Sequence, residues 1–174
     1  PDGEKIAKLR DPAVKARILG EQNDKPHVFV ELLGHRFEQM YPLAEPINYL
    51  PDRDLSAAAL AARERRDPAE WLYDFLLGNE GHNLIYIPAT SKSIPVIGEL
   101  LRHPYTLPAL GDGGAHVGSI CDSSAGVFLL TKWVREENLM DFAQGIRSLT
   151  HDPATFFSLH DRGRLAPGMK ADIN

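Results

Sequence analysis

The chemistry-bearing residues of this chain are concentrated in Leu107-Pro108-Ala109-Leu110-Gly111-Asp112-Gly113-Gly114-Ala115-His116. An apolar run ends abruptly in a carboxylate, two glycines and, four residues past the acid, a histidine. A buried strand that delivers a carboxylate to the mouth of a site has this form. In parallel α/β folds and barrels the C-terminal ends of the strands face the ligand. Gly113 and Gly114 carry no Cβ, so another group can approach their backbone closely. A plainer reading stands beside this one: an aspartate before glycines bonds its own local backbone in a turn, and a lone loop histidine is simply exposed.

Other candidates carry less. Cys121 has no neighbouring histidine to make it a nucleophile and reads as a small buried hydrophobe. Asp122 reads as the N-cap of the next helix. His27, His35, His82, His103, His151 and His160 are scattered without HxH, HExxH or CxxC spacing, so this chain holds no complete metal cage of its own. Gly113, Gly114 and Gly118 lack the Gly-Lys-Ser/Thr ending of a phosphate-binding loop.

Composition narrows the function classes. The chain has 174 residues, 43% hydrophobic and 25% charged, with a net charge of -5. That is an ordinary globular composition with enough length for a sizeable core. The acidic balance argues against nucleic acid or an anionic membrane as partner. A single cysteine excludes an internal disulfide, and no apolar run approaches the roughly 20 residues of a membrane span. A cytoplasmic protein is expected. The chain opens on Pro1 and stops at Asn174, where an extended segment begins; both ends are expected to be cuts.

The elements that must position Asp112 follow from pattern. Asp11-Pro12 starts a short helix, with Gly20 as its stop; the remainder of residues 1–26 reads as irregular. Residues 27–33 (HVFVELL) form the first strand. Residues 34–53 show no clear period and read as a loop or insertion. Residues 56–66 are helical, and Asp67-Pro68-Ala69-Glu70 is a capping box opening a second helix that Gly78 closes. Residues 84–87 are the second strand. Ser93 caps a helix bearing Ile94, Ile97, Leu100 and Leu101, and residues 106–111 are the third strand. Residues 124–136 are helical with Val127, Leu130 and Val134 on one stripe. Helices also start at Asp141 and at Asp152-Pro153. Strands alternating with helices predict an α/β fold with a parallel sheet and helical crossovers.

Two stretches resemble a known family. Gly163-Arg164-Leu165-Ala166-Pro167-Gly168-Met169-Lys170-Ala171-Asp172-Ile173 is similar to the G-x-[IL]-x-x-G-x-x-A-D-[LI] segment that closes metal-dependent amidohydrolases. Leu110-Gly111-Asp112-Gly113-Gly114-Ala115-His116 resembles their strand-8 aspartate segment, which in the N-acyl-D-amino-acid deacylase branch reads S-D-G-x-x-H. Gly111 here replaces that serine, which removes a hydroxyl and leaves the carboxylate. Leu149 to Ala154 is similar to the branch's T-x-x-P-A helix start, and Leu55 to Pro68 to its A-x-x-x-x-[KR]-D-P insertion.

The resemblance implies a partial (β/α)8 TIM-type barrel. Residues 1–162 would be the C-terminal portion of the catalytic barrel, with an inserted helical segment at about 34–80. Residues 163–174 would begin the return to a small β-sandwich. It implies hydrolysis of an amide C–N bond in a small-molecule substrate, an N-acyl-D-amino acid, with zinc in the complete enzyme and none in this portion. Asp112 would be the general acid/base and a weak or shared metal ligand; His116, Gly113 and Gly114 would contact substrate. The missing N-terminal half of the barrel, or a second copy, would cover the open strand edges. Two rival readings remain: a cyclic amidase of the dihydroorotase or hydantoinase kind, and a non-catalytic α/β binding module without metal.

Overall fold

The computed structural model describes residues 3–21, 34–88, 93–109 and 124–173. The first strand predicted at 27–33 therefore lies outside the described residues. So do the last two residues of the third, 110 and 111, and all of residues 112–122. Contacts divide the chain into two units, Pro1–Lys92 and Ser93–Asn174.

The first unit opens with α1 (Gly3–Leu9) and α2 (Pro12–Gly20). The α2 start is as predicted: Asp11 accepts hydrogen bonds from the Ala13 and Val14 N–H groups, and Pro12 sits where no donor is needed. α1 lies in the stretch read as irregular. Its single buried side chain, Ile6, gave no apolar period to detect.

The unit's core lies between α3 (Ala57–Arg63), capped by Ser56, and α4 (Pro68–Leu76). Met40, Ala57, Ala61 and Trp71 form its buried centre, with Phe37, Leu60, Leu72, Phe75, Ile85 and Ile87 packed around it. Ala57 and Ala61 are fully buried, one helical turn apart. Their small side chains admit the Trp71 ring, which stacks on Phe75 with centroids 5.3 Å apart. The indole N–H donates to Glu64 at 3.0 Å, so this ring is buried without an orphaned donor.

The predicted capping box at Asp67 is half made. Asp67 accepts from the Ala69 and Glu70 N–H groups, but the Glu70 carboxylate is taken by Lys15 at 2.9 Å. A charged partner from another helix outcompetes a neutral backbone donor for this carboxylate.

The second predicted strand forms as β2 (Leu84–Tyr86), but its partner is β1 (Tyr41–Leu43), in the segment read as a loop. The pairing is antiparallel, with Tyr41 opposite Tyr86, Pro42 opposite Ile85 and Leu43 opposite Leu84. Two-stranded and antiparallel, this ladder differs from the parallel pairing expected of residues 84–87. The strand at Tyr41–Leu43 is too short for alternation and contains a proline, tolerated because its missing donor falls on an edge strand. Tyr41 is buried, and its hydroxyl donates to the Glu38 carbonyl.

The second unit begins with α5 (Ile94–Arg102), Ser93 standing at its N-cap position. Residues 106–109, predicted as the start of the third strand, run in irregular backbone. Beyond the site loop, α6 (Ala125–Phe128) continues directly into a π-helix, Leu129–Glu136. This corrects the predicted stripe. Bonds such as Glu137 N–H to Lys132 C=O span five residues rather than four. The buried face therefore runs through Leu129, Trp133 and Val134, while Val127 is largely exposed. Ile94, Ile97 and Leu101 of α5 pack on that face together with Leu139, Met140 and Leu149.

α7 (Phe142–Leu149) has a full capping box: Asp141 accepts from the Gln144 N–H, and the Gln144 side chain accepts from the Asp141 N–H. α8 is His151–Phe156, one residue earlier than the Asp152-Pro153 start predicted. Phe156 and Phe157, at the end of this helix, are 69% and 67% exposed. Among the described residues no helix is long and apolar enough to cross a membrane.

Because Trp71 joins α3 and α4 while satisfying its own N–H, Trp71→Ala should destabilise the chain by about 3–5 kcal/mol, read as a lower urea midpoint. A loss below about 1 kcal/mol would show that the Met40–Ala57–Ala61–Trp71 cluster is not what holds this unit together.

Candidate active site

Asp112, Gly113, Gly114 and His116 lie outside the described residues, as do Cys121 and Asp122. What is described is the frame that carries them. On the entering side, α5 ends where the His103 N–H bonds the Leu100 carbonyl. A turn then follows, closed by Thr106 N–H to the His103 carbonyl at 3.0 Å. Pro104 cannot continue the helix and forces this exit. The His103 Nδ1 accepts from the Tyr105 N–H at 3.3 Å, which fixes that imidazole locally.

On the leaving side, Ser124 opens α6 and the π-helix. The helices before and after the loop share one apolar core: Ile94, Ile97 and Leu101 from α5 against Leu129, Trp133 and Val134. The approach is close, since a Cβ on Gly98 would fall 2.9 Å from Leu139 Cδ1.

Downstream, a charged cluster joins α7 to α8. Arg147 Nε donates to Asp152 Oδ1 at 2.8 Å, and His151 Nδ1 lies 3.2 Å from the same oxygen. Burial works to raise the Asp152 carboxyl, but the hydrogen bonds from Arg147 and His151 outweigh it and hold the group below the ordinary aspartate value. His151, a scattered histidine in the sequence, is thus engaged with a carboxylate.

The closing segment then explains its own glycines. Gly163 has φ +85° and lies against α8, where a Cβ would meet Ala154 Cβ at 2.7 Å and the Thr150 carbonyl at 3.0 Å. Ala166-Pro167-Gly168-Met169 is a tight turn closed by Met169 N–H to Ala166 C=O at 3.1 Å. Gly168 takes φ +83°. Proline followed by a left-handed glycine is the type II signature. Arg162 grips Asp161 with two nitrogens at 2.9 and 3.2 Å and reaches Asp172 at 3.4 Å. The hydrogen bond from Arg162 keeps the Asp161 carboxyl below its ordinary value. The Lys170 N–H bonds the Asp161 carbonyl at 2.7 Å, so the segment closes as a loop on itself.

Among the described residues no group of three or more His, Cys, Asp or Glu side chains is arranged to hold a metal ion. His82 Nδ1 lies 3.1 Å from the Asn79 carbonyl, and His151 and His103 are engaged as above. The described residues therefore do not themselves supply a zinc site. The Arg147–Asp152–His151 cluster and the Arg162 clasp were missed as contacts in the sequence. Asp172 was visible in the closing motif, with Asp161 and Arg162 just ahead of it, but which acid an arginine chooses depends on how the loop folds back.

Residues 35–174 match the amidohydrolase family. The chain belongs to that family, a class of hydrolytic enzymes, and the match spans both the Asp112 loop and the closing segment. A stretch of 63 residues is 40% identical to a dihydroorotase of Lactobacillus johnsonii, covering 36% of this chain and 15% of that protein. The match thus spans well under a quarter of that relative's length. No solved structure matches the chain. Family membership sets aside the unrelated α/β binding module as the reading of this sequence.

Two outcomes follow from the closing segment. Gly168→Ala meets nothing within 4 Å and should cost only the left-handed penalty, about 1–2 kcal/mol. Gly163→Ala adds a steric clash and should cost visibly more; equal urea midpoints for the two variants would refute the packing described at α8. Separately, the lowered Asp152 carboxyl gives stability that is present above the ordinary aspartate value near pH 3.8. That stability is lost as pH falls through the still lower folded-state value. Asp152→Asn should therefore narrow the stability difference between pH 6 and about pH 3 relative to wild type, measured by thermal melts at each pH.

Proposed function

We propose that this chain is the C-terminal portion of the catalytic (β/α)8 barrel of a metal-dependent amidohydrolase that hydrolyses an amide C–N bond, with Asp112 as the general acid/base. The observation that carries the reading is the family match over residues 35–174. It contains the Asp-Gly-Gly-x-His loop and a closing segment whose two glycines each have a backbone reason to be glycine.

Asp112 in this reading takes a proton from the attacking water and returns it to the leaving nitrogen. A carboxylate is suited to that shuttle because it accepts in one step and, once protonated, donates in the next. His116, with the Gly113 and Gly114 backbone, orients the substrate. A zinc ion, when bound, supplies Lewis acidity toward the carbonyl. Its ligands other than Asp112 would come from the remainder of the barrel. In this reading the enzyme works in the cytoplasm.

For the substrate, two readings have support. An N-acyl-D-amino acid is favoured by the Asp-Gly-x-x-His spacing from Asp112 to His116 and by the Leu55–Pro68 stretch. A cyclic amide, as in dihydroorotate, is favoured by the 63-residue likeness to a dihydroorotase. Both contain an amide next to a carboxylate, so both suit the same proton shuttle.

The test uses the full-length protein that carries this chain. Purified with its metal, it is offered a panel of N-acyl-D-amino acids and cyclic amides, including dihydroorotate. Turnover of either class supports the hydrolase reading and decides the substrate. Asp112→Asn should then lower kcat by on the order of 10² to 10⁴, the usual worth of acid–base catalysis, with metal content unchanged. Near wild-type kcat in that variant would remove Asp112 from the mechanism.

A further inference from the structure

We propose that α1 and α2 form a polar latch that detaches and re-forms as one piece while the rest of the Pro1–Lys92 unit stays folded, and that Lys15 is its catch. The two helices lack apolar anchorage. α2 has no buried residue, and α1 buries only Ile6. The core of the unit, centred on Met40, Ala57, Ala61 and Trp71, takes no side chain from either helix. Apolar burial, the usual main source of tertiary cohesion, therefore contributes little to holding them in place.

Polar contacts take its place, and they converge on the exposed side of α4. Lys15 Nζ donates to Glu70 Oε1 and to both oxygens of Asp74, each at 2.9 Å. It also lies 5.9 Å from the centre of the Tyr73 ring. The Tyr73 hydroxyl donates to the Leu9 carbonyl at 2.8 Å, and Arg10 Nη2 donates to the Leu77 carbonyl at 3.0 Å. The carboxylates have a second cation. Arg66 also bonds Asp74 and lies 3.9 Å from Glu70 and 3.4 Å from Glu64. When Lys15 withdraws, Asp74 keeps one partner, so release strands no unpaired acid on α4. Between the two surfaces lies a cleft of about 230 Å³ lined by Leu9, Arg10, Lys15, Tyr73, Asp74 and Leu77. The latch thus closes around a space rather than over a packed interface.

Length makes the release all-or-none. Helices of 7 and 9 residues fall below the roughly 12–15 at which an isolated helix holds itself in water. Once the polar contacts go, both helices melt together, and their amide protons exchange. α3 and α4 are as short, but the Trp71 core holds them.

Amide hydrogen exchange on the 174-residue chain tests this. Three samples are compared: wild type in dilute buffer, wild type in roughly 1 M NaCl, where the screening length falls to about 3 Å, and Lys15→Met, which keeps most of the stem and removes the charge. Arg17→Ala is the control, since among the described residues Arg17 pairs only with Glu21, at 3.7 Å, and both are well exposed. The expected result is exchange in residues 3–20 roughly tenfold or more faster in salt and in Lys15→Met, the scale of losing a charged hydrogen bond. Residues 57–76 should be unchanged, and so should the control. Three results overturn the proposal: residues 57–76 accelerating together with 3–20, residues 3–20 unmoved by both salt and Lys15→Met, or Arg17→Ala matching Lys15→Met. If Lys15→Met does not fold, the wild-type salt comparison decides alone.

Discussion

The contact of α5 with the π-helix is the constraint on which the candidate site depends. Ile94, Ile97 and Leu101 meet Leu129, Trp133 and Val134, and Asp112 lies in the sequence between these two helices. In the proposed mechanism Asp112 transfers protons, which requires a carboxylate held within a few tenths of an ångström of its partner, and a segment with fixed ends is better suited to such tolerances. The π register matters for that reason. A bond spanning five residues puts Leu129, Trp133 and Val134 on one side, where an α-helix would have rotated one of them away.

The closing segment depends on the same unit in a different way. It is held by backbone conformation and charge rather than apolar burial, and Leu165 is 82% exposed. Gly163 fits under α8 because it has no Cβ, and Pro167-Gly168 sets a turn that returns Lys170 to Asp161. Arg162 then ties the strand of chain before the turn to Asp172 after it. A family motif with two glycines and an acid at fixed spacing is, physically, two left-handed residues and one arginine partner.

The two units contrast in how they use charge. In the first, Lys15, Arg66, Glu70 and Asp74 join helices distant in sequence. Burial works against the Asp74 carboxylate, yet hydrogen bonds from Lys15 and Arg66 hold its pKa below the ordinary value. In the second, Arg147 and Asp152 join helices adjacent in sequence. Both are partly exposed pairs of the kind that orient elements more than they stabilise them.

What the sequence determined by itself was local. The caps at Asp11, Ser56, Asp67 and Asp141 each need only a side-chain oxygen within two or three residues of free N–H groups. The resemblance to amidohydrolases was legible for the same reason, since its motifs are short and contiguous. What the tertiary structure decided was every choice between distant partners. Tyr41–Leu43 became a strand because Leu84–Tyr86 lay beside it, and Glu70 left its capping box because Lys15 arrived from another helix. The buried face of residues 124–136 shifted from the predicted stripe because the core selected a five-residue repeat over a four-residue one. Phe156 and Phe157, both apolar and at the end of a helix, stand outward all the same. A pattern in sequence says which residues can share a face, and only the neighbours a face meets determine whether it is buried.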